Sequence, residues 1–389
     1  MPVLRSIRER FARERPLAGL TVGACLHVTS ETACLVRALQ AGGADVALCA
    51  SNPYATQADV ALALSGEAEV HAGGPDEWAA GVAAVVARSP RITLDDGADL
   101  LGALHSARPE LLADMLGGTE ETTTGLVRLR ALEASGELAV PVIAVNEARA
   151  ERAFNDRFGA GQSVLDGIVR ATNLLLAGQT VVVLGYGWTG RGVALRARGF
   201  GASVIVCEVD PLRALEARME GFAVMPARRA ASLGDIFITV TGVPNVLRGE
   251  HFYLMKDGAV LANAGQFDVE ISLEDLRSQA SSVREILPLV ERFEFGDRAL
   301  HLLAAGRVVN LAAAQGHPAA VMDVSFALQA LACEALVRGG PWAPGVHPVP
   351  DAIEREVAAL KLAALDVEID TLTEAQAEYL TLTSPPRRP

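Results

Sequence analysis

Residues 180–190 read Thr-Val-Val-Val-Leu-Gly-Tyr-Gly-Trp-Thr-Gly. A β-branched run breaks into glycines at 185, 187 and 190, and helix-compatible sequence follows to about residue 200. A Gly-x-Gly-x-x-Gly turn between strand and helix aims unpaired N–H groups and a positive dipole end at a pyrophosphate. Gly185 permits the tight turn, Gly187 lets phosphate approach the backbone, and Gly190 lets the helix pack close to the strand. Thr189 lies in the same turn and is counted with the cofactor-binding residues. Glu208 ends the next β-branched run, about 20 residues on, where an acid reads the ribose hydroxyls and repels a 2′-phosphate. The reading is NAD rather than NADP.

Working outward, strand-like and helical segments alternate, which predicts βαβ units and parallel sheets. Later strands are expected at 203–210, 235–242, 258–265 and 306–311. Upstream, strands are expected at 20–28, 44–50, 91–96 and 140–146, with helices at 31–41, 56–64 and 76–87. The polar stretch 146–163 reads as a hinge, followed by helix to about 177. A long apolar helix over 318–338, a Gly/Pro-rich linker over 339–350, a helix over 351–365 and a polar tail complete the chain. The fold class is α/β with two domains: an N-terminal α/β substrate domain, an inserted Rossmann domain and a short C-terminal helical segment. The boundaries are placed at 1–155, 156–315, 316–345 and 346–389.

The 389 residues carry 34 Lys+Arg against 47 Asp+Glu, a formal charge of −13. That balance argues against a protein that works on phosphate backbones, so no nucleic-acid partner is expected. No apolar run reaches the roughly 18 residues of a membrane span, and no membrane partner is expected. The cysteines, Cys25, Cys34, Cys49, Cys207 and Cys333, have no CxxC spacing. They read as free thiols in a reducing, cytoplasmic setting, and no metal site is expected. The only lysines are Lys256 and Lys361, so a mechanism that needs a lysine has two candidates.

Several blocks, in order, resemble S-adenosylhomocysteine hydrolases from about residue 20 to 379. They are CLHVTSET (25–32), LDDGADL (94–100), PELLADMLGGTEETTTG (109–125), DGIVRATN (166–173), the glycine turn, HFYLMKDGAVLANAGQFDVEI (251–271), GRVVNLAAAQGHPAAVMDVSF (306–326) and LTEAQAEYL (372–380). The resemblance implies tightly bound NAD and an adenine nucleoside substrate. The implied reaction is transient oxidation of the ribose 3′-hydroxyl, loss of the C4′ proton and departure of the C5′ group. It also implies a homodimer or homotetramer.

By the same resemblance, Glu31 reads adenine, with Leu26, Thr29, His317 and Met322 around the base. Asp96 lies near C4′ and C5′, Glu121 at the ribose hydroxyls, and His27 near C5′ for leaving-group proton transfer. Thr122, Thr123, Thr124, Thr241, Gly265 and Asn310 match NAD contacts. TEETTTG also reads, in its own right, as a helix N-cap with acids in the first turn.

The departures fall on reacting groups. Where the family has K-x-K-F-D-N, this chain has Glu151-Arg152-Ala153-Phe154-Asn155-Asp156. The family's lysine is Glu151, its aspartate Asn155, its asparagine Asp156, its histidine in N-I-G-H-F-D is Gln266, and its cysteine is Ala160. Besides a one-residue shift of the match in this polar segment, two replacements for the lysine are open. A carboxyl kept protonated by its neighbours can serve as acid and base. Alternatively Arg152 or Arg157 turns in, binding a hydroxyl without acting as a base. The expected function is a hydrolase-like enzyme acting at C3′, C4′ and C5′ of an adenine nucleoside, with net dehydration to a 4′,5′-ene if the departing group is hydroxyl. Alternatives are S-adenosylhomocysteine hydrolysis itself and a catalytically silent NAD or nucleoside sensor.

Overall fold

A computed structural model describes the chain except for Gln266, Pro341 and residues 384–389, and except for the side chains of Ala55 and residues 381–383. Two sheets carry it. The first contains β1 (Thr21–Leu26), β2 (Asp45–Ala50), β3 (Glu69–His71), β4 (Ile92–Asp95), β5 (Gly117–Glu120), β6 (Pro141–Ala144) and a late strand, Gly345–Pro348. From the edge, the order is the late strand, β6, β5, β4, β1, β2, β3, all parallel. The succession of strands reverses around β1, so the loops after β1, β2, β4 and β5 converge at one carboxyl-end crevice.

The second sheet is built on β7 (Thr180–Leu184), flanked by β8 (Ser203–Cys207) and β10 (Ile236–Thr239); β9 (Ala223–Val224) lies outside β8 and β11 (Ala259–Asn263) beside β10. An antiparallel hairpin set, β12 (Ser282–Leu287), β13 (Val290–Phe295) and β14 (Arg298–Leu303), extends the other edge, with β14 parallel to β11. β7, β10 and β11 are nearly continuous apolar runs because helices cover both faces.

Four expectations are corrected. Segment 306–311 is not a strand: Val308 makes one bridge to Asn263, and helix begins at Val309. The expected hinge is helical from Glu151 onward, as π-helix over Glu151–Ala160 running into α-helix over Gly161–Thr172. Its buried positions are 151, 155, 159 and 160, the first three in steps of four along one helix face. The expected linker contains the late strand, whose pairing with β6 widens the first sheet. TEETTTG also divides differently. Glu120 ends β5, and Thr122 is the N-cap of the helix Thr123–Ser135, so the acids precede the helix.

The helix Ala319–Arg338 is long and apolar enough, by composition, to cross a membrane, yet most of it is buried inside the protein. It packs in the core of the first unit beside the helix Pro2–Glu14. Its Asp323 is fully buried and accepts N–H groups from Val3 (3.2 Å) and Leu4 (3.0 Å), capping that first helix. Lys361 completes the pair at 3.0 Å. Lys256 binds Asp235 at 2.7 Å. Both lysines are thus structural ties.

Candidate active site

In the second unit, Gly185 adopts φ 105°, the left-handed region open to glycine. Its N–H donates to the Cys207 carbonyl at 2.8 Å. A Cβ at Gly190 would lie 2.1 Å from the Gly185 carbonyl oxygen, so only glycine lets the helix Trp188–Gly199 meet the strand there. Gly187 is that helix's N-cap and no side chain caps it, which leaves the N–H groups open to a phosphate. Glu208 accepts N–H groups from Tyr186 (2.7 Å), Val209 (2.6 Å) and Asp210 (3.0 Å). Three of about four carboxylate acceptor sites are filled, and one remains for a ribose hydroxyl. Thr241 is held by Glu270, a fully buried carboxylate that accepts its N–H at 2.9 Å and its hydroxyl at 2.8 Å. Gly265 donates its N–H to Asn263 at 2.8 Å. Asn310 Oδ1 and Thr124 Oγ1 are buried without a partner. The glycine cradle, uncapped helix and orphaned polar atoms fit a dinucleotide.

In the first unit, Asp96 follows β4 and Glu121 follows β5, side by side at the carboxyl-end crevice. Asp96 accepts the Ser51 hydroxyl at 3.0 Å and lies 3.1 Å from His27 Nε2. Glu121 accepts Gln329 Nε2 at 2.9 Å. Burial, with Asp96 and Glu151 adding like charge, raises the Glu121 pKa well above the ordinary carboxyl range. Thr123 donates to Asn146 at 3.1 Å.

Glu151 is 3% exposed. It accepts the Ser325 hydroxyl at 2.5 Å and the Asn155 amide N–H, and no cation pairs with it among the described residues. Burial pushes its pKa up to about 7, with Asp156 contributing repulsion. Asp156 is itself raised to about 6 by burial, against the pull of Arg152. Neither arginine fills the lysine's place: Arg152 pairs with Glu147 at 3.3 Å, and Arg157 lies over the Phe158 ring. Asn155 and Gln329 each keep a buried amide oxygen without a partner, so the free groups here are acceptors that suit a hydroxyl-rich ligand.

Between the two units lies a cleft of about 320 Å³, lined among others by Glu31, Gln57, Ser163, Asp166 and His317. Burial, with His27 nearby, lowers the His317 pKa to about 4, so its ring is neutral at neutral pH. Thr29 caps the helix Ser30–Ala41, accepting the Thr32 N–H. Leu26 is buried in the core, and Met322 packs half-buried against it. Gln266 lies outside the described residues.

Residues 156–316 match the family model "S-adenosyl-L-homocysteine hydrolase, NAD binding domain", and residues 1–110 match "S-adenosyl-L-homocysteine hydrolase". The adenosylhomocysteinase of Aquifex aeolicus is 54% identical over 388 residues, covering 98% of this chain and 93% of that one. The chain belongs to the S-adenosyl-L-homocysteine hydrolase family. Its fold is that family's two-domain α/β fold, and its cofactor is NAD. A similar likeness reaches the S-inosyl-L-homocysteine hydrolase of Methanosarcina acetivorans, 52% identical over 386 residues, covering 98% of this chain and 94% of that one.

Sequence reasoning missed Ser51, Ser325, Gln329 and Glu270. A signal existed for two of them. Ser325 and Gln329 are uncharged polar residues four apart in a largely apolar helix, which places them on one face.

Proposed function

We infer that this family member acts on an adenine nucleoside by transient oxidation at C3′, removal of the C4′ proton and departure of the C5′ substituent. Bound NAD supplies reversible hydride acceptance. Glu151 takes and returns the 3′-hydroxyl proton, a role suited to a buried carboxyl that titrates near neutrality. Glu121 and Gln329 hold the ribose hydroxyls. Asp96, oriented by Ser51 and His27, works beside C4′, and His27 delivers a proton to the group leaving C5′. If that group is hydroxide, water departs and a 4′,5′-ene remains once the ketone is reduced.

The observation that carries this reading is Glu151, hydrogen-bonded to Ser325 and Asn155, close enough to Glu121 to raise its pKa, and without a cation partner among the described residues. Anaerobic incubation with adenosine and 5′-substituted adenosines tests it. The expected result is transient reduced-cofactor absorbance and an unsaturated nucleoside; cofactor that stays redox-silent with every nucleoside overturns the reading in favour of a sensor.

A second reading, hydrolysis of S-adenosylhomocysteine, draws support from the 54% identity to an adenosylhomocysteinase. Release of homocysteine and adenosine at an ordinary turnover rate decides for it. The expected partners remain a small nucleoside and other copies of this chain.

A further inference from the structure

Two more carboxyls lie behind Asp96 and Glu121. Asp95 and Glu120 are register partners on β4 and β5, both fully buried. Side chains alternate along a strand, so each of these inner acids precedes a site acid and points away from it. Asp95 accepts the N–H groups of Leu100 (2.9 Å) and Leu101 (3.1 Å), at the start of the helix Asp99–Ala107. Glu120 does something different. One of its oxygens accepts the Gly97 N–H at 2.9 Å and also the Thr122 N–H at 2.9 Å. Gly97 directly follows Asp96, and Thr122 directly follows Glu121.

We propose that Glu120 is a positioning residue for the reaction: its carboxyl ties the loop after Asp96 to the loop after Glu121 and fixes the separation of those two site carboxyls. The packing around it supports a fixed tie. A Cβ at Gly125 would fall 2.2 Å from the Glu120 carboxyl carbon, so the first turn of the helix Thr123–Ser135 closes directly over the group. The backbone strengthens the coupling, because the Glu121 N–H donates to the Asp95 carbonyl at 3.0 Å. Burial and the charge of Asp95 both favour a protonated Glu120, which keeps negative field behind the site low. The role rests on the reading that Asp96 and Glu121 work on the nucleoside.

The experiment uses the NAD-loaded full chain. Glu120→Gln keeps an oxygen that can accept both N–H groups, whereas Glu120→Ala removes it. Misplacing reacting groups by about 1 Å costs on the order of 100-fold. Glu120→Ala is therefore expected to lower kcat by about that factor with KM and NAD content little changed, and Glu120→Gln to restore most of it. Amide hydrogen exchange at Gly97 and Thr122 should accelerate in Glu120→Ala and stay protected in Glu120→Gln. Gly125→Ala, a favourable change for an exposed helix, presses a methyl on the carboxyl and should lower kcat and loosen the same two amides even where Glu120→Ala does not fold. Wild-type kcat in Glu120→Ala, equal losses in both Glu120 variants, or unchanged exchange at both amides overturns the proposal. If the wild-type chain turns over no nucleoside, the functional reading fails separately, and the exchange pattern with nucleoside affinity decides the positioning role.

Discussion

The Ser325 hydroxyl donates to Glu151 at 2.5 Å across the junction of the two units, from the central helix of the first to the helix that leads into the second. The contact joins residues 174 positions apart. It ties the Glu151 carboxyl to the body that carries Asp96 and Glu121.

Stability and activity should therefore move in opposite directions with pH. Glu151 is shifted from 4.5 to about 7 by burial. Between those values the folded state binds more protons than the unfolded chain, so stability falls as pH rises. At about 1.4 kcal/mol per pKa unit, the loss across that window is on the order of 3 kcal/mol. Glu151→Gln should flatten this decline in Tm between about pH 5 and 8. As the base must be ionised, wild-type kcat should climb through about pH 7, and Glu151→Gln should lose that limb along with most activity.

Restoring the family's charge pair should move the chain toward hydrolysis. Glu151→Lys alone places an ammonium between Asn155 and Ser325, and the acids that act on position 151 through charge, Asp156 and Glu121, are not among its hydrogen-bond partners. Adding Asn155→Asp supplies the partner. The double variant is expected to be more stable than Glu151→Lys by roughly 1–3 kcal/mol. It should also release homocysteine from S-adenosylhomocysteine faster than the unmodified chain does. A coupled thiol assay and thermal melts measure both.

Much of the NAD unit was legible, because the glycine turn and β-branched strands are local signals. Gly185, Gly190 and Glu208 occupy the places their spacing predicts. β5 was not legible: Gly117-Gly118-Thr119-Glu120 has poor strand propensity and forms only because β4 and β6 flank it. The π-helical segment resisted reading because residues 151–157 are mostly polar, and the buried face there is made of Glu151 and Asn155 rather than apolar side chains. The partners of Glu121 and Glu151 come from a helix some 170–210 residues later, a relation no local pattern carries. The two lysines were flagged by scarcity, and only tertiary structure assigns them as ties to Asp235 and Asp323.

Gly190→Ala should act on the cofactor alone. Its methyl would clash with the Gly185 carbonyl oxygen and displace the helix that faces the pyrophosphate. NAD affinity is expected to fall at least about tenfold, roughly 1.4 kcal/mol. Nucleoside binding to the first unit should persist. Cofactor content after gel filtration, alongside nucleoside titration, separates the two effects.

Base choice should depend on Glu31. An ionised carboxylate only accepts hydrogen bonds, which suits the 6-amino group of adenine and opposes the 6-oxo group of hypoxanthine. Glu31 lines the cleft at the start of its helix, where it accepts the Ser30 hydroxyl at 3.0 Å. Glu31→Gln provides an amide that can donate to the 6-oxygen. Preference for adenosine over inosine, read as the ratio of kcat/KM values, should fall by about one to two orders of magnitude, in line with roughly 1–3 kcal/mol for an unsatisfied buried polar group. An unchanged ratio would assign base reading to other residues of the cleft.

Lys361→Met isolates stability from chemistry. Lys361 offsets the fully buried Asp323, which also caps the first helix. Removing the cation leaves a carboxylate held only by two backbone N–H groups, and loss of one partner of a buried pair costs roughly 3 kcal/mol. Urea unfolding should show that loss, while kcat per folded molecule stays at the wild-type value, because the pair lies in the core and touches none of the site carboxyls. A matching fall in kcat would mean that the central helix transmits the change to Ser325 and Gln329, two and six residues beyond Asp323.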